Sequence, residues 1–193
     1  MLTPHTTIKY KGNIMTFHTL TATTLAICIA AGSAFAAGGD TSEPPTPTQT
    51  TKECKKNKIW SEAKKRCVRI KKSELNDDGI YNNARELAYA GRYDDALELL
   101  GMAANPKDPR ILNYLAFTNR KMGNTQVAME FYRQALHQDP DYILARSYFG
   151  QAKMKSGDVK GAKEQLARID AIDGTGSWAY ESLAAAIKGK SRY

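Results

Sequence analysis

The stretch PRILNYLAFTNRKMGNTQVAMEFYRQALHQDPDY, from Pro109 to Tyr142, decides the fold. Apolar residues recur three and four positions apart on both sides of Gly123, and Asp139-Pro140 closes the segment. It therefore reads as two amphipathic helices joined by a tight glycine turn. The pattern recurs on either side, because Gly91, Gly123 and Gly157 stand 32 and 34 residues apart. Five residues after each glycine come Ala96, Ala128 and Ala162, and four further on Leu100, Tyr132 and Leu166. A small and then a large residue one helical turn apart marks a helix that is approached closely by another. A fixed period of this length means stacked helical repeats.

The unit resembles the tetratricopeptide repeat over roughly 77–174, as three copies. In the middle copy the family pattern stands as Leu112, Leu115, Ala116, Gly123, Ala128, Tyr132, Ala135 and Pro140. Small residues at 116 and 128 let two antiparallel helices approach, while Leu115 and Tyr132 fill the space between neighbouring pairs. The copies also depart from the pattern: Asn83 in the first replaces a large apolar residue, Asn119 and Lys153 stand where an aromatic is frequent, and Gly174 in the third replaces the closing proline. The end copies are thus expected to meet something other than another repeat.

The expected fold is all-α, a helix-turn-helix solenoid with helices over 78–90, 94–104, 109–122, 125–137, 143–155 and 159–169. Asp94 and Asp158 lie where N-caps or first-turn acids belong, and Pro109 is placed as a first-turn proline. Within 175–193, a last helix over 177–188, SWAYESLAAAIK, offers Trp178 and Leu183 to cover the open end of the stack.

Ahead of the repeats the chain changes character three times. An uncharged apolar run over 20–31 followed by Ala34-Phe35-Ala36 predicts a signal peptide over 1–36. The run is too short to span a bilayer, which needs about 20 residues, so no transmembrane anchor is expected after cleavage. Residues 37–51, rich in Pro, Thr, Gly and Ser, predict a disordered or extended spacer. Residues 52–72 hold ten lysines and arginines against Glu53 and Glu62, which places the whole formal excess of +8 in one short module. If Cys28 leaves with the signal, Cys54 and Cys67 remain as the even pair expected of one disulfide in an oxidising compartment. Residues 58–60 and 68–70 can pair as short strands about a turn over 61–65, a hairpin too small to be stable unbridged.

Catalytic constellations are scarce. Of three histidines, His5 and His18 fall in the predicted leader, and His137 sits at a helix end. Nucleophile–histidine chemistry and zinc ligation therefore find no residue set, no phosphate-binding glycine motif occurs, and no cofactor is called for. Asp77, Asp78, Asp94 and Asp95 stand at helix starts, where acids belong for structural reasons. The reading is a non-enzymatic exported bacterial repeat protein, periplasmic or secreted, that binds another protein or peptide. Its rivals are an envelope anchor, whose basic hairpin holds an anionic polymer or lipid headgroups, and a carboxylate-based hydrolase. Export argues against a nucleic-acid partner.

The family resemblance implies that the first helix of each pair lines a concave face. That assigns a partner groove to Tyr81, Arg85 and Tyr89, then Asn113, Phe117, Arg120 and Lys121, then Gln151 and Lys155. Spacings of three and four put each set on one side of its helix. Such a groove is aromatic and basic, suited to an extended peptide with acidic and apolar side chains.

Overall fold

In chain order a short helix α1 (Gln49–Lys52) precedes strands β1 (Lys58–Ser61) and β2 (Arg66–Arg69), and the rest is helical. The helices are α2 (Asp77–Tyr89), α3 (Tyr93–Leu100), α4 (Pro109–Lys121), α5 (Thr125–Gln138), α6 (Ile143–Lys155), α7 (Val159–Asp173) and α8 (Trp178–Ile187). This computed structural model describes residues 43–71 and 75–190. The predicted signal peptide and Cys28 lie outside the described residues.

Local chemistry starts some of the helices and stops others. Asn76, Asp108, Asp158 and Ser177 accept a backbone N–H of the first turn of α2, α4, α7 and α8. Gly91, Gly123 and Gly157 all adopt positive φ, at 76°, 93° and 86°. In each case the N–H of the glycine and of the next residue turn back onto carbonyls of the last helical turn, as in Asn124 N to Asn119 O at 2.9 Å. This is the Schellman closure, and glycine adopts its left-handed residue without a Cβ penalty.

The helices pack as α2 with α3, α4 with α5 and α6 with α7, and α8 lies against both α6 and α7. Ala84, Ala96, Ala116, Ala128 and Ala162 are fully buried, which is the close approach that the small-residue columns predict. Tyr114, Tyr132 and Tyr148 are the bulkiest fully buried side chains. Each large core side chain contributes about 1.5–3 kcal/mol through burial.

Several boundaries move. α3 stops at Leu100, short of 104, because the Asp77 carboxylate takes the N–H groups of Ala104 and Asn105 at 2.7 and 2.8 Å. α7 runs to Asp173, past 169, and ends at Gly174, φ 74°. β2 starts two residues earlier than expected, with Trp60 opposite Cys67 and Ser61 opposite Arg66. Cys54 and Cys67 are bonded to each other.

The expected spacer needs correction. From 43 onward the chain is docked on α2: Thr48 gives its N–H and hydroxyl to Glu86 at 2.7 and 2.8 Å, and the Thr51 hydroxyl also reaches that carboxylate. Buried Thr50 donates to Asn83 and accepts the N–H of Trp60. The hairpin is likewise part of the solenoid, since Ile59 and Ile70 belong to the same hydrophobic core as Ile80 and Leu87.

Candidate functional site

The first helices of the pairs share an aromatic spine. Tyr89 stacks on Phe117 with centroids 5.2 Å apart, Phe117 meets Tyr148 at 4.9 Å, and Tyr148 meets Trp178 edge-on at 6.1 Å. Tyr81 and Tyr114 extend it at the other end, 5.5 Å apart. The hydroxyls of Tyr89 and Tyr148 also touch. Thus α2, α4, α6 and α8 are joined along one line by ring contacts, each worth about 0.5–1.5 kcal/mol beyond area burial.

The nine predicted groove residues fall around this spine with unequal access. Tyr81, Arg85, Asn113, Phe117, Arg120 and Gln151 are buried. Tyr89 and Lys121 are half-buried, and Lys155 is exposed. Arg85 is held in place, its Nε donating to Tyr114 Oη at 3.1 Å and Nη2 to the Glu43 carbonyl. Phe117 is a core side chain that links three helices.

Arg120 is the unusual member. It is 5% exposed and lies over the rings of Phe117 and Tyr148 at 5.5 and 5.8 Å. Its Nε and Nη2 make no hydrogen bond among the described residues, and neither do Asn113 Oδ1, Ser147 Oγ or Gln151 Oε1. Most buried polar groups in proteins are paired, so this cluster stands out. Burial pushes the Tyr132 hydroxyl up to about 12, against the pull of Arg120. Burial, then the charges of Arg120 and Lys155, holds the Lys121 ammonium below the ordinary lysine range. No carboxylate is paired with Arg120, Lys121 or Lys155 among the described residues. Ser147 was missed by the sequence reasoning, although it lies one turn before Gln151 and shares its helix face, and Tyr132 was read only as a packing residue.

The second polar centre is Arg92. Its guanidinium donates to the carbonyls of Thr50, Cys54, Lys55 and Lys58 at 2.8–3.2 Å and pairs with Asp95 at 2.6 Å. Asp95, itself buried, also accepts the N–H of Asn57. One side chain in the first repeat turn therefore fastens both α1 and the hairpin. Nothing in the residue pattern pointed to it.

The four acids at helix starts have structural partners. Asp77 holds the α3–α4 loop, Asp78 pairs with Arg110, Asp94 approaches Lys56 at 4.0 Å, and Asp95 pairs with Arg92. Among the described residues no group of histidines, cysteines and acids is placed to hold a metal ion. No helix among them is long and apolar enough to cross a membrane.

Comparison with known proteins agrees with this architecture. The profile described as tetratricopeptide repeat matches residues 119–187. The human protein O-mannosyl-transferase TMTC1 (Homo sapiens) is 30% identical over an alignment that covers 42% of this chain and 12% of that protein. This chain thus spans only a small part of that relative's length. The fold is an all-α solenoid of tetratricopeptide type, preceded by a disulfide-closed β-hairpin, and repeats of this type suggest a protein-interaction scaffold.

Proposed function

We propose that the chain is a non-enzymatic adaptor of the bacterial cell envelope that holds an acidic segment of a partner protein against Arg120, Lys121 and Lys155. The observation that carries this is the buried Arg120 guanidinium, lying over two rings with two nitrogens unpaired among the described residues, beside two further cations that have no acidic partner among them. A carboxylate brought there gains charge-assisted hydrogen bonds in a poorly solvated place. Charge reversal at the accessible pair, Lys121→Glu with Lys155→Glu, should weaken binding of acidic peptides about 100-fold while leaving helix content unchanged. Undiminished binding to that variant would remove this face from consideration.

An envelope location is supported by the apolar run over 20–31 with Ala34-Phe35-Ala36, and by a disulfide suited to an oxidising compartment. Intact mass of the native protein is expected to start near Ala37, and a mass retaining the leader would contradict export. A second reading concerns the hairpin, where Lys55, Lys58, Arg66, Arg69 and Lys71 are exposed and make no ion pair among the described residues. That surface suits an anionic envelope polymer or lipid headgroups, and its signature is binding that fades as salt rises.

A further inference from the structure

A cleft of about 410 Å³ lies where the 45–50 segment, the hairpin and α2 meet, away from Arg120 and its neighbours. Its floor is fixed. Glu86 is held by Thr48 and Thr51, Asn83 accepts from Thr50, and Thr50 takes the Trp60 N–H. Its rim is unspent, because the side-chain amides of Gln49 and Asn82 are exposed and make no hydrogen bond among the described residues. Half-buried Trp60 forms one wall, and its indole N–H sits near the Glu62 carboxylate, which Lys65 chiefly holds below the ordinary glutamate range. What the indole presents to the cleft is therefore mainly apolar ring surface.

The lining limits what can enter. Arg85 also lines the cleft, but its guanidinium is engaged by the Tyr114 hydroxyl and the Glu43 carbonyl, so an entering anion meets Glu62 and Glu86, and a cation meets the field of the lysine-rich hairpin. A wholly apolar ligand would strip water from the rim amides and leave them unpaired. A ligand with one flat apolar face and neutral hydroxyls around its edge satisfies both the indole and the amides. The volume lies in the range of small-ligand sites.

We propose that this cleft binds an uncharged sugar ring of a glycan, with Trp60 as the platform under the ring and Gln49 and Asn82 hydrogen-bonding its hydroxyls. The site is independent of the peptide-binding face and survives if that reading fails. It also gives the docked N-terminal segment a role, since without α1 and Thr48 the cleft has no second wall.

Calorimetric titration of the whole chain with tetramers of N-acetylglucosamine, cellotetraose and maltotetraose tests it. At least one should bind saturably with a dissociation constant of about 1 mM, and Trp60→Ala and Asn82→Ala should each weaken it about tenfold. Asn82 is exposed, so its variant keeps the test valid if Trp60→Ala fails to fold. The affinity should be the same at low and high salt. Absence of saturable binding by all three, binding unaltered in Asn82→Ala, or binding that disappears with salt would each overturn the proposal, the last by assigning the interaction to the lysines.

Discussion

The two ends of the stack are closed by different chemistry. At the front, α1 and the hairpin are fastened through polar groups, with Arg92 reaching four carbonyls and Glu86 gathering Thr48 and Thr51. At the rear, α8 is held by shape: Leu183 is fully buried over Gly150, and Trp178 meets Tyr148. A polar closure specifies one arrangement, because a displaced hairpin leaves several hydrogen-bonding groups unpaired together. An apolar closure tolerates small shifts but is sensitive to volume. The difference follows from what each end has to offer. The hairpin supplies Ile59 and Ile70 to the common core, with half-buried Val68 against it, whereas α8 buries Ala179 and Leu183, with Tyr180, Ala186 and Ile187 packed beside them and Trp178 against the common core.

The largest effect is expected at Arg92. Arg92→Ala removes the guanidinium from four carbonyls and leaves buried Asp95 without its cation, a loss of about 4 kcal/mol. Hydrogen exchange should then accelerate at the hairpin amides and remain slow in α6 to α8. Arg92→Lys should recover little, since one ammonium cannot replace a planar fork that reaches carbonyls in two directions. Unchanged protection at Trp60 and Cys67 in Arg92→Ala would mean that Ile59 and Ile70 hold the hairpin unaided, and the contrast between the two ends would fail.

The repeat was legible because its signals are local: the glycine turns, the alanine columns and the caps each depend on residues within one helical pair. The docked segment over 43–51 was not legible. Its prolines, threonines and glutamine are typical of solvated chain, and its anchors Asn83 and Glu86 lie more than thirty residues away. Helical spacing put Phe117, Arg120 and Lys121 on one side of α4, where both cations lie over the Phe117 ring. It carried no information on whether that side is covered, so a core residue such as Phe117 was indistinguishable from a lining one. Arg92 looked like an ordinary charged residue after a turn glycine, and only its approach to carbonyls 34 to 42 positions away distinguishes it. The unpaired atoms around Arg120 are a property of packing, invisible to a pattern of residue types.

A smaller effect, and a sharper one, is expected at the other end. A Cβ on Gly150 would lie 2.5 and 2.7 Å from the two terminal carbons of Leu183. These carbons end a flexible side chain, yet Leu183 is 0% exposed and has nowhere to turn. Overpacking of this kind costs about 1–3 kcal/mol, while alanine gains about 1 kcal/mol over glycine in a helix interior, so Gly150→Ala should destabilise by about 1 kcal/mol net. The loosening should appear in α8 and leave the hairpin untouched. A double-mutant cycle separates the two contributions. In a Leu183→Ala background the clash is gone, and the same Gly150→Ala change should become stabilising through helix propensity alone. A penalty that persists in that background would show that the close approach is between backbones, and that the rear of the stack is held by more than the fit of one leucine over one glycine.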